Sequence, residues 1–446
     1  MGLAADTIAA IATAPGRGAV GIVRVSGPAV PSIASQLIAD LPAPRTAAFR
    51  PFRNQQGALI DQGLALYFRA PASYTGEDML ELQAHGGPSV LRQLLEATYA
   101  AGARAAEPGE FTQRAFLNGK IDLLQAESIA TLIETSSTQA ANAAARACAG
   151  EFSLAVSDIN QTLVELRVLL EAGIDFAEET EFDRVRITTR FDHLLTRLTA
   201  LIRDAVAGAR LNHGLDIAII GKPNSGKSTL LNRLCREDRA IVTPLPGTTR
   251  DVLSVDIDLG GLSVRLHDTA GLRDAADPIE QEGLRRARAL LKRCDALLYV
   301  TAIDQPADAE PPEVVAARQA GTAVLTVINK QDLQPAGSAP HSPAAGLVPV
   351  SALTGEGIAA LEAALLDIAG GQEITDAPFI ARARHVDALT RARHEAAQAA
   401  GEYRADAYEL ACEALRQASR ALEEMTGVYT SEDLLGDIFS RFCIGK

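Results

Sequence analysis

Apolar positions change their spacing several times along this 446-residue chain, and each change marks a change of element. Up to about residue 118, strand-like runs (AVGIVRVSG, LALYFRA, MLELQAH) alternate with helical ones such as PSVLRQLLEATYAAG, with Gly and Pro punctuation between them. This predicts an N-terminal α+β domain over residues 1–118. From 119 the spacing is helical over long stretches, first in KIDLLQAESIATLIETSSTQAANAAARACAG and then in SLAVSDINQTLVELRVLLEAGIDFAEE. In the next run Leu194, Leu195, Leu198, Leu201, Ile202 and Val206 share one face, and Asn212-His213-Gly214 offers a stop. LDIAII, from residue 215, opens an alternation of strands and helices, the pattern of a parallel sheet with helices on both faces. After AGGQEITDAP the chain is helical to its end. Thr430 and Asp433 have capping-box spacing there, and Leu434, Leu435, Ile438, Phe439 and Phe442 share a face. The expected architecture is multidomain, α/β and α: the α+β domain, a helical domain formed by segments 119–213 and 372–446, and a doubly wound α/β domain, 214–371, inserted between them.

Composition fits this and narrows the partners. Domains of about 150 residues suggest three of them. Much of the 47% hydrophobic share is alanine, which favours helix. A formal net charge of -14 argues against a surface that wraps nucleic acid by charge alone, so any RNA contact should be local or shared with a partner. No run approaches the roughly 18 apolar residues of a membrane span, and MGLAADTIAAIATAPGRG lacks the positive start of a signal peptide. The expected location is the cytoplasm, with no membrane contact. Asp6 stands where myristoylation needs Ser or Thr. Cysteines 148, 235, 294, 412 and 443 form no CxxC and no metal-like cluster, which fits a reducing compartment, and the first four are expected as small core fillers.

Candidate chemistry concentrates in the inserted domain. GKPNSGKST, Gly221 to Thr229, follows an apolar strand and precedes a helical run. Its loop, through Asn224, Ser225 and Gly226, can turn N–H groups toward phosphates, while Lys227 reaches the outer phosphates and Ser228 offers a hydroxyl to Mg²⁺. The segment Thr243-Pro244-Leu245-Pro246-Gly247-Thr248-Thr249 supplies a second Thr for Mg²⁺. Asp268-Thr269-Ala270-Gly271 follows a strand, and Asn329, Lys330 and Asp332 end another. The Asp332 carboxylate can accept both the N1 and N2 hydrogens of guanine, a donor pair adenine lacks, and Ser351-Ala352-Leu353 fits the loop beside the base. The ligand is therefore GTP. Leu272 stands where many GTPases carry a water-orienting glutamine. Asn224, with main-chain carbonyls of Thr243 and Leu245, could hold a monovalent cation among the phosphates, or Asn224 could make only a local loop hydrogen bond. Glu280 could orient water, with Glu282 as competitor, or either could simply favour a helix N-terminus.

The chain resembles the tRNA uridine-modifying GTPases of the MnmE, or TrmE, family over nearly its whole length. The resemblance rests on DTIAAIATAPGRGAVGIVRVSG, YTGEDMLELQAHGG, PGEFTQRAFLNGKIDLLQAE, the G domain with Asn224 and GTTRD, and the terminal FCIGK. It implies a folate-binding N-terminal domain that also forms a homodimer, and a helical domain interrupted by the G domain. It implies activation by potassium, held by Asn224, Thr243, Leu245 and Thr248, with Mg²⁺ on Ser228 and Thr249. Glu280 would orient the water. Together with an FAD-dependent partner, MnmG or GidA, in a heterotetramer, such enzymes add a carboxymethylaminomethyl-type group to carbon 5 of the wobble uridine of certain tRNAs. A tetrahydrofolate such as the 5-formyl form supplies the one-carbon unit, and its contacts would fall on Arg24, Glu81, Lys120 and Lys446. The terminal Cys443 would lie near that site and be needed for modification.

Other readings stay open on the residues. A ribosome- or rRNA-binding assembly GTPase shares nearly all the G-domain signals but needs neither the first 118 residues nor a terminal cysteine. LRRARALLKRC and Arg382, Arg384, Arg391 and Arg393 could touch RNA or be solvated helix faces. Cys443 has the outline of a prenylation box, but Gly445 and Lys446 suit it poorly; a packed thiol and a reactive one are the alternatives.

Overall fold

The structure is a computed structural model, and it describes residues 6–135, 137–175, 184–235, 240–241, 254–268, 294–305, 310–334, 346–371, 376–428, 432–440, 442 and 444–445. The chain divides into two compact units, residues 1–130 with 420–446, and residues 131–419.

The first unit is built on a six-stranded sheet of order β3-β4-β5-β2-β1-β6, formed by β1 (Ile8–Ile11), β2 (Gly18–Ser26), β3 (Ala48–Arg53), β4 (Leu59–Phe68), β5 (Met79–Gly86) and β6 (Arg104–Ala105). All pairs are antiparallel except β1 with β6. Strand alternation sends Val23, Val25, Leu80 and Leu82 to one face, where helices α1 (Val30–Ile38) and α2 (Pro88–Ala100) cover them with Ile33, Leu37, Leu91 and Leu94. Each such side chain contributes about 1.5–3 kcal/mol by leaving water. The same alternation turns Arg24 and Glu81 to the opposite face, directly across from one another in the β2–β5 register. Helix α3 (Glu110–Leu117) brings Phe111 against Ile8, Ala10 and Ala106. The first half of α4 (Leu123–Glu134) packs Leu123, Ala126 and Ala130 on Ile438, Phe439 and Phe442 at the end of the chain, where the last helix, Glu432–Ser440, presents the apolar face read from the sequence. Thr430 lies outside the described residues. That packing carries compactness past residue 118, although the change of period falls there. Ile444 then bridges to Pro108, which returns the terminal segment to the first 118 residues.

The second unit holds a seven-stranded sheet of order β13-β12-β11-β7-β10-β9-β8. Its strands are β7 (Leu215–Gly221), β8 (Ala240–Ile241), β9 (Ser254–Leu259), β10 (Leu262–Asp268), β11 (Ala296–Ala302), β12 (Ala323–Asn329) and β13 (Leu347–Pro349). Strands β10, β7, β11, β12 and β13 are parallel, and β9 and β8 extend one edge antiparallel. Chain order runs in opposite directions on the two sides of β7, so a crevice is expected at its carboxyl end. The α/β domain's own helices are α8 (Lys227–Leu234), α9 (Pro312–Gln319) and α10 (Ile358–Ala369); helical segments from both flanks belong to the same unit, α5 (Thr138–Cys148), α6 (Glu151–Asp175) and α7 (Arg184–His213) before it, and α11 (Ala383–Arg404) with α12 (Tyr408–Thr426) as far as Ser419 after it. Phe152 stacks on Phe379 at 4.1 Å between ring centres, and Phe191 lies 5.6 Å from Tyr403. The buried seam of α7 is Ile187, Phe191, Leu194, Leu198, Leu201, Ala205, Gly208 and Leu211; Leu195, Ile202 and Val206, expected on that face, are half-buried at its edge. Small residues complete the seam because the chain at Phe379 passes close: a Cβ at Gly208 would stand 2.2 Å from its carbonyl oxygen.

Candidate functional site

The carboxyl end of β7 turns into the loop Lys222 to Gly226 and then into α8. Asn224 and Gly226 both have left-handed backbones, φ 61° and 88°. Gly226 is required for space as well, since a Cβ there would stand 2.2 Å from Asn329 Nδ2. The Lys227 ammonium donates to the carbonyls of Gly221 and Lys222 at 2.8 and 2.9 Å, so the loop encircles a positive charge at the amino end of a helix. Ser228 and Thr229, on the first turn of α8, are exposed. The Ser225 side chain is buried, and its hydroxyl has no hydrogen-bond partner among the described residues.

Asn329 joins three loops. Its amide donates to Ser225 O at 2.9 Å, and its Oδ1 accepts from the N–H groups of Lys330 and Ala352 at 2.8 and 2.9 Å. Lys330, in a left-handed turn, extends its ammonium to Asp304 at 2.9 Å. Asp332 accepts a hydrogen bond from the Ser351 hydroxyl, which in turn accepts from Thr354 N. Ala352 is buried and Leu353 exposed. The structure therefore gathers Asn224 to Thr229, Asn329, Lys330, Asp332 and Ser351 to Leu353 around one crevice. Asp268 ends β10 level with Ile219 of β7. Thr243 to Thr249, Thr269 to Gly271, Leu272, Glu280 and Glu282 lie outside the described residues, as do Cys443 and Lys446.

Two residues that sequence reasoning passed over hold this crevice. Gln305 donates to Pro223 O at 2.9 Å, and Arg233 donates to Thr354 O at 2.6 Å. Neither stands in a motif; only proximity in the fold marks them.

A second cavity, of about 480 Å³, opens on the exposed face of the first unit's sheet, lined by Arg24, Arg45, Tyr74, Glu81, Lys120 and apolar neighbours including Phe68 and Met79. Three of the four residues expected to contact folate thus share it. Arg24 pairs with Glu81 through Nε at 3.0 Å and Nη2 at 2.9 Å, with its guanidinium 5.7 Å from the Tyr74 ring centre and its Nη1 3.4 Å from Gly445 O. Lys120 Nζ donates to Pro71 O at 3.0 Å. The loop that supplies Tyr74 rests on a buried network. Arg114, 2% exposed, donates to Glu77, to Glu110 and to both Asp6 O and Asp6 Oδ1, and Arg104 pairs with Glu110 and Asp6. Ser26 and Thr75 continue it to Glu77, and Asn118 donates to Thr75 O at 2.7 Å. Burial pushes the Glu110 carboxyl upward, yet hydrogen bonds from Arg104, Glu107 N and Arg114 outweigh it and hold the group below the ordinary range. Glu110 and Arg114 one turn apart, amid Phe111 and Ala115, were the legible signal of this network.

Of the four cysteines expected as core fillers, Cys294 is buried, whereas Cys148, Cys235 and Cys412 are half-buried. Burial pushes Cys148 and Cys412 up to about 11 and Cys294 up to about 12. Among the described residues no helix is long and apolar enough to cross a membrane.

A sheet that reverses order at β7, a glycine-bounded lysine loop at its carboxyl end, and an Asn-Lys-x-Asp turn tied to that loop define a P-loop GTPase domain, here inserted in a helical body. The family description MnmE helical domain matches residues 123–443, and that of the GTP-binding protein TrmE N-terminus matches residues 7–120. A protein of Bordetella petrii named tRNA modification GTPase MnmE is 47% identical over 98% of both chains. Proteins of the same name from Azoarcus sp. and Nitrosospira multiformis are 48% and 46% identical, covering 99% of this chain and 98% and 99% of their own. The chain belongs to the MnmE family of tRNA modification GTPases.

Proposed function

We propose that this enzyme hydrolyses GTP in a potassium-activated cycle and, as a homodimer joined by an FAD-dependent partner chain, adds an aminomethyl-type group to carbon 5 of the wobble uridine of certain tRNAs. The observation that carries this beyond GTP hydrolysis is the convergence of Arg24, Glu81 and Lys120 on one cavity that the terminal segment also reaches through Gly445. An assembly GTPase has no use for that cavity. Its dimensions fall in the range of small-molecule sites, about 300–1,000 Å³. A tetrahydrofolate supplies a one-carbon unit when bound. The Glu81 carboxylate suits the amide and amino edge of a pterin, and the cationic side chains suit a glutamate tail.

In the crevice the chain's own groups do the binding. The 222–226 main chain and Lys227 surround the phosphates, Asp332 accepts from guanine, and Asn329 keeps the two regions in register. The glycine cradle and the orphaned Ser225 hydroxyl fit a phosphate group. Ser228 and Thr249 would hold Mg²⁺, and Asn224, Thr243, Leu245 and Thr248 would hold K⁺, each adding positive charge where phosphate charge develops. Glu280 orients the attacking water in place of the missing glutamine.

The experiment is nucleoside analysis of tRNA from cells whose sole copy carries Cys443→Ser. Loss of the modified uridine, with folate binding and GTP turnover kept, is the expected result; a normal level removes Cys443 from the chemistry. In parallel, potassium should raise turnover well above sodium in the native chain and not in Asn224→Ala, while Glu280→Ala should lose turnover at nearly unchanged GTP affinity. Equal rates of the native chain in both salts would defeat the cation reading.

A further inference from the structure

We propose that Arg45 is a further binding residue of the N-terminal cavity, and that it grips the anionic tail of the ligand beside Lys120. The proposal rests on the folate reading above and deepens it. Arg45 lies between α1 and β3, lines the cavity, and carries φ 59°, a left-handed backbone that a side-chain-bearing residue rarely adopts. The surrounding chain imposes that conformation: Arg45 N donates to Tyr67 O at 2.8 Å, and Nη2 donates to Ala72 O at 3.0 Å. A backbone outlier held this firmly at a cavity mouth points to a function for the side chain it aims.

The charges of the cavity separate into two kinds. Arg24 is neutralised by Glu81, side by side on the sheet. Arg45 and Lys120 have no carboxylate partner among the described residues; their cationic groups donate to the carbonyls of Ala72 and Pro71, consecutive residues of one loop. Main-chain carbonyls orient a cation without cancelling its charge, and each group keeps further donors. Two such cations on successive carbonyls suit a ligand end with two carboxylates, such as the glutamate of a reduced folate, while the Arg24–Glu81 pair offers a neutral, directional edge to the ring system. Arg45 is exposed, which places its contact at the tail and not at the ring.

The test titrates the full-length native chain and Arg45→Gln with 5-formyltetrahydrofolate, and with the same compound after its tail carboxylates are converted to amides, at low and high salt. Gln keeps an uncharged donor where the charge is lost, and the diamide reads any loosening of the loop separately. Arg45→Gln should weaken the acid by about five-fold at low salt, the scale of an exposed charge pair, with less difference at high salt. It should leave the diamide unchanged, and Arg45→Lys should recover part of the loss. Equal weakening of acid and diamide would make Arg45 a loop clamp and overturn the proposal, as would no effect on the acid. A native chain that binds neither compound overturns the folate reading itself, a result distinct from either of these.

Discussion

In the nucleotide crevice the main chain does the holding. Residues 222–226 present their own N–H and carbonyl groups, two left-handed residues shape the turn, and the Lys227 ammonium is centred by two carbonyls. In the N-terminal cavity side chains do the holding, delivered from β2, β5, the segment before β3 and the segment after α3. The first design must be written in consecutive residues, because only particular types permit that backbone. The second can be written anywhere that strand register and loop closure bring charges together. The first therefore tolerates little change of residue type, and the second depends on what supports the loops.

The sharpest way to test the first half of that contrast is Asp332→Asn. Ser351 can still donate to the remaining oxygen at this position, so the turn should survive. The new amide nitrogen, however, faces the donors of guanine. Xanthine carries an acceptor where guanine carries its amino group, so preference should pass to xanthosine triphosphate. GTP affinity is expected to fall about 10⁴-fold, the scale for a site left with unmatched polar groups. Titration with both nucleotides measures it, and folate binding should not change. Loss of GTP without gain of the xanthine nucleotide would mean that Asp332 shapes the turn and does not read the base.

For the second half the informative residue is Arg114, whose hydrogen bonds go to Asp6, Glu77 and Glu110 and to none of the cavity lining. Arg114→Met leaves Glu77 without its cation and should cost about 3–5 kcal/mol in urea unfolding of the full chain. GTP turnover in the absence of urea should persist while folate affinity drops with the loosened 74–78 loop. Intact folate affinity would show that the loop stands without the network.

A smaller effect comes from acid. The carboxyls of Asp6 and Glu110 are pushed up by burial and brought below the ordinary range by the hydrogen bonds and charges of Arg104 and Arg114. A lowered folded value means their contribution is complete above the unfolded value, about 4, and disappears as pH falls through the folded one. Native stability should therefore decline as pH drops below about 5, and Arg114→Met should decline less steeply. Asp216, lowered by its hydrogen bond from His267, adds an acid limb to both proteins, so the difference between the two curves is the measurement. Parallel curves would remove Arg114 from the titration.

Legibility follows the same division. The strands in AVGIVRVSG, MLELQAH and LDIAII and the stop at His213 were readable because period and punctuation are local, whereas β4 begins at Leu59, ahead of the run LALYFRA read from Leu64. The crevice was readable because Gly221, Asn224, Gly226 and Asp332 must stand where they do. Arg24, Glu81 and Lys120 came from resemblance; nothing in their neighbours says that β2 will lie beside β5 in a register that pairs 24 with 81. Arg45 was unreadable for a physical reason: PAPR suggests a turn, but the left-handed backbone depends on Tyr67 and Ala72, which are distant in sequence. The α7 seam was misread at Ala205 and Gly208 because a close backbone contact favours small residues that a hydrophobic pattern does not register.

Gln305 offers the finest test, a side chain that serves a main-chain site. The Pro223 carbonyl can only accept, so the Gln305 amide must turn its nitrogen toward it. That orientation leaves Gln305 Oε1 buried with no partner among the described residues. One hydrogen bond gained against one oxygen poorly served should make the net contribution small, about 1 kcal/mol or less, so Gln305→Ala is expected to weaken GTP binding only about three-fold. Gln305→Glu has nearly the same shape and the opposite logic. Its carboxylate cannot donate to Pro223 O, faces that carbonyl with like polarity, and adds negative charge beside a loop built for phosphates. It should therefore bind GTP more weakly than the alanine variant, with a gap that narrows at high salt. Equilibrium titration of both variants decides it. If Glu is no worse than Ala, the Gln305 contact does not position the loop, and the Asn329 and Arg233 side chains hold it without that help.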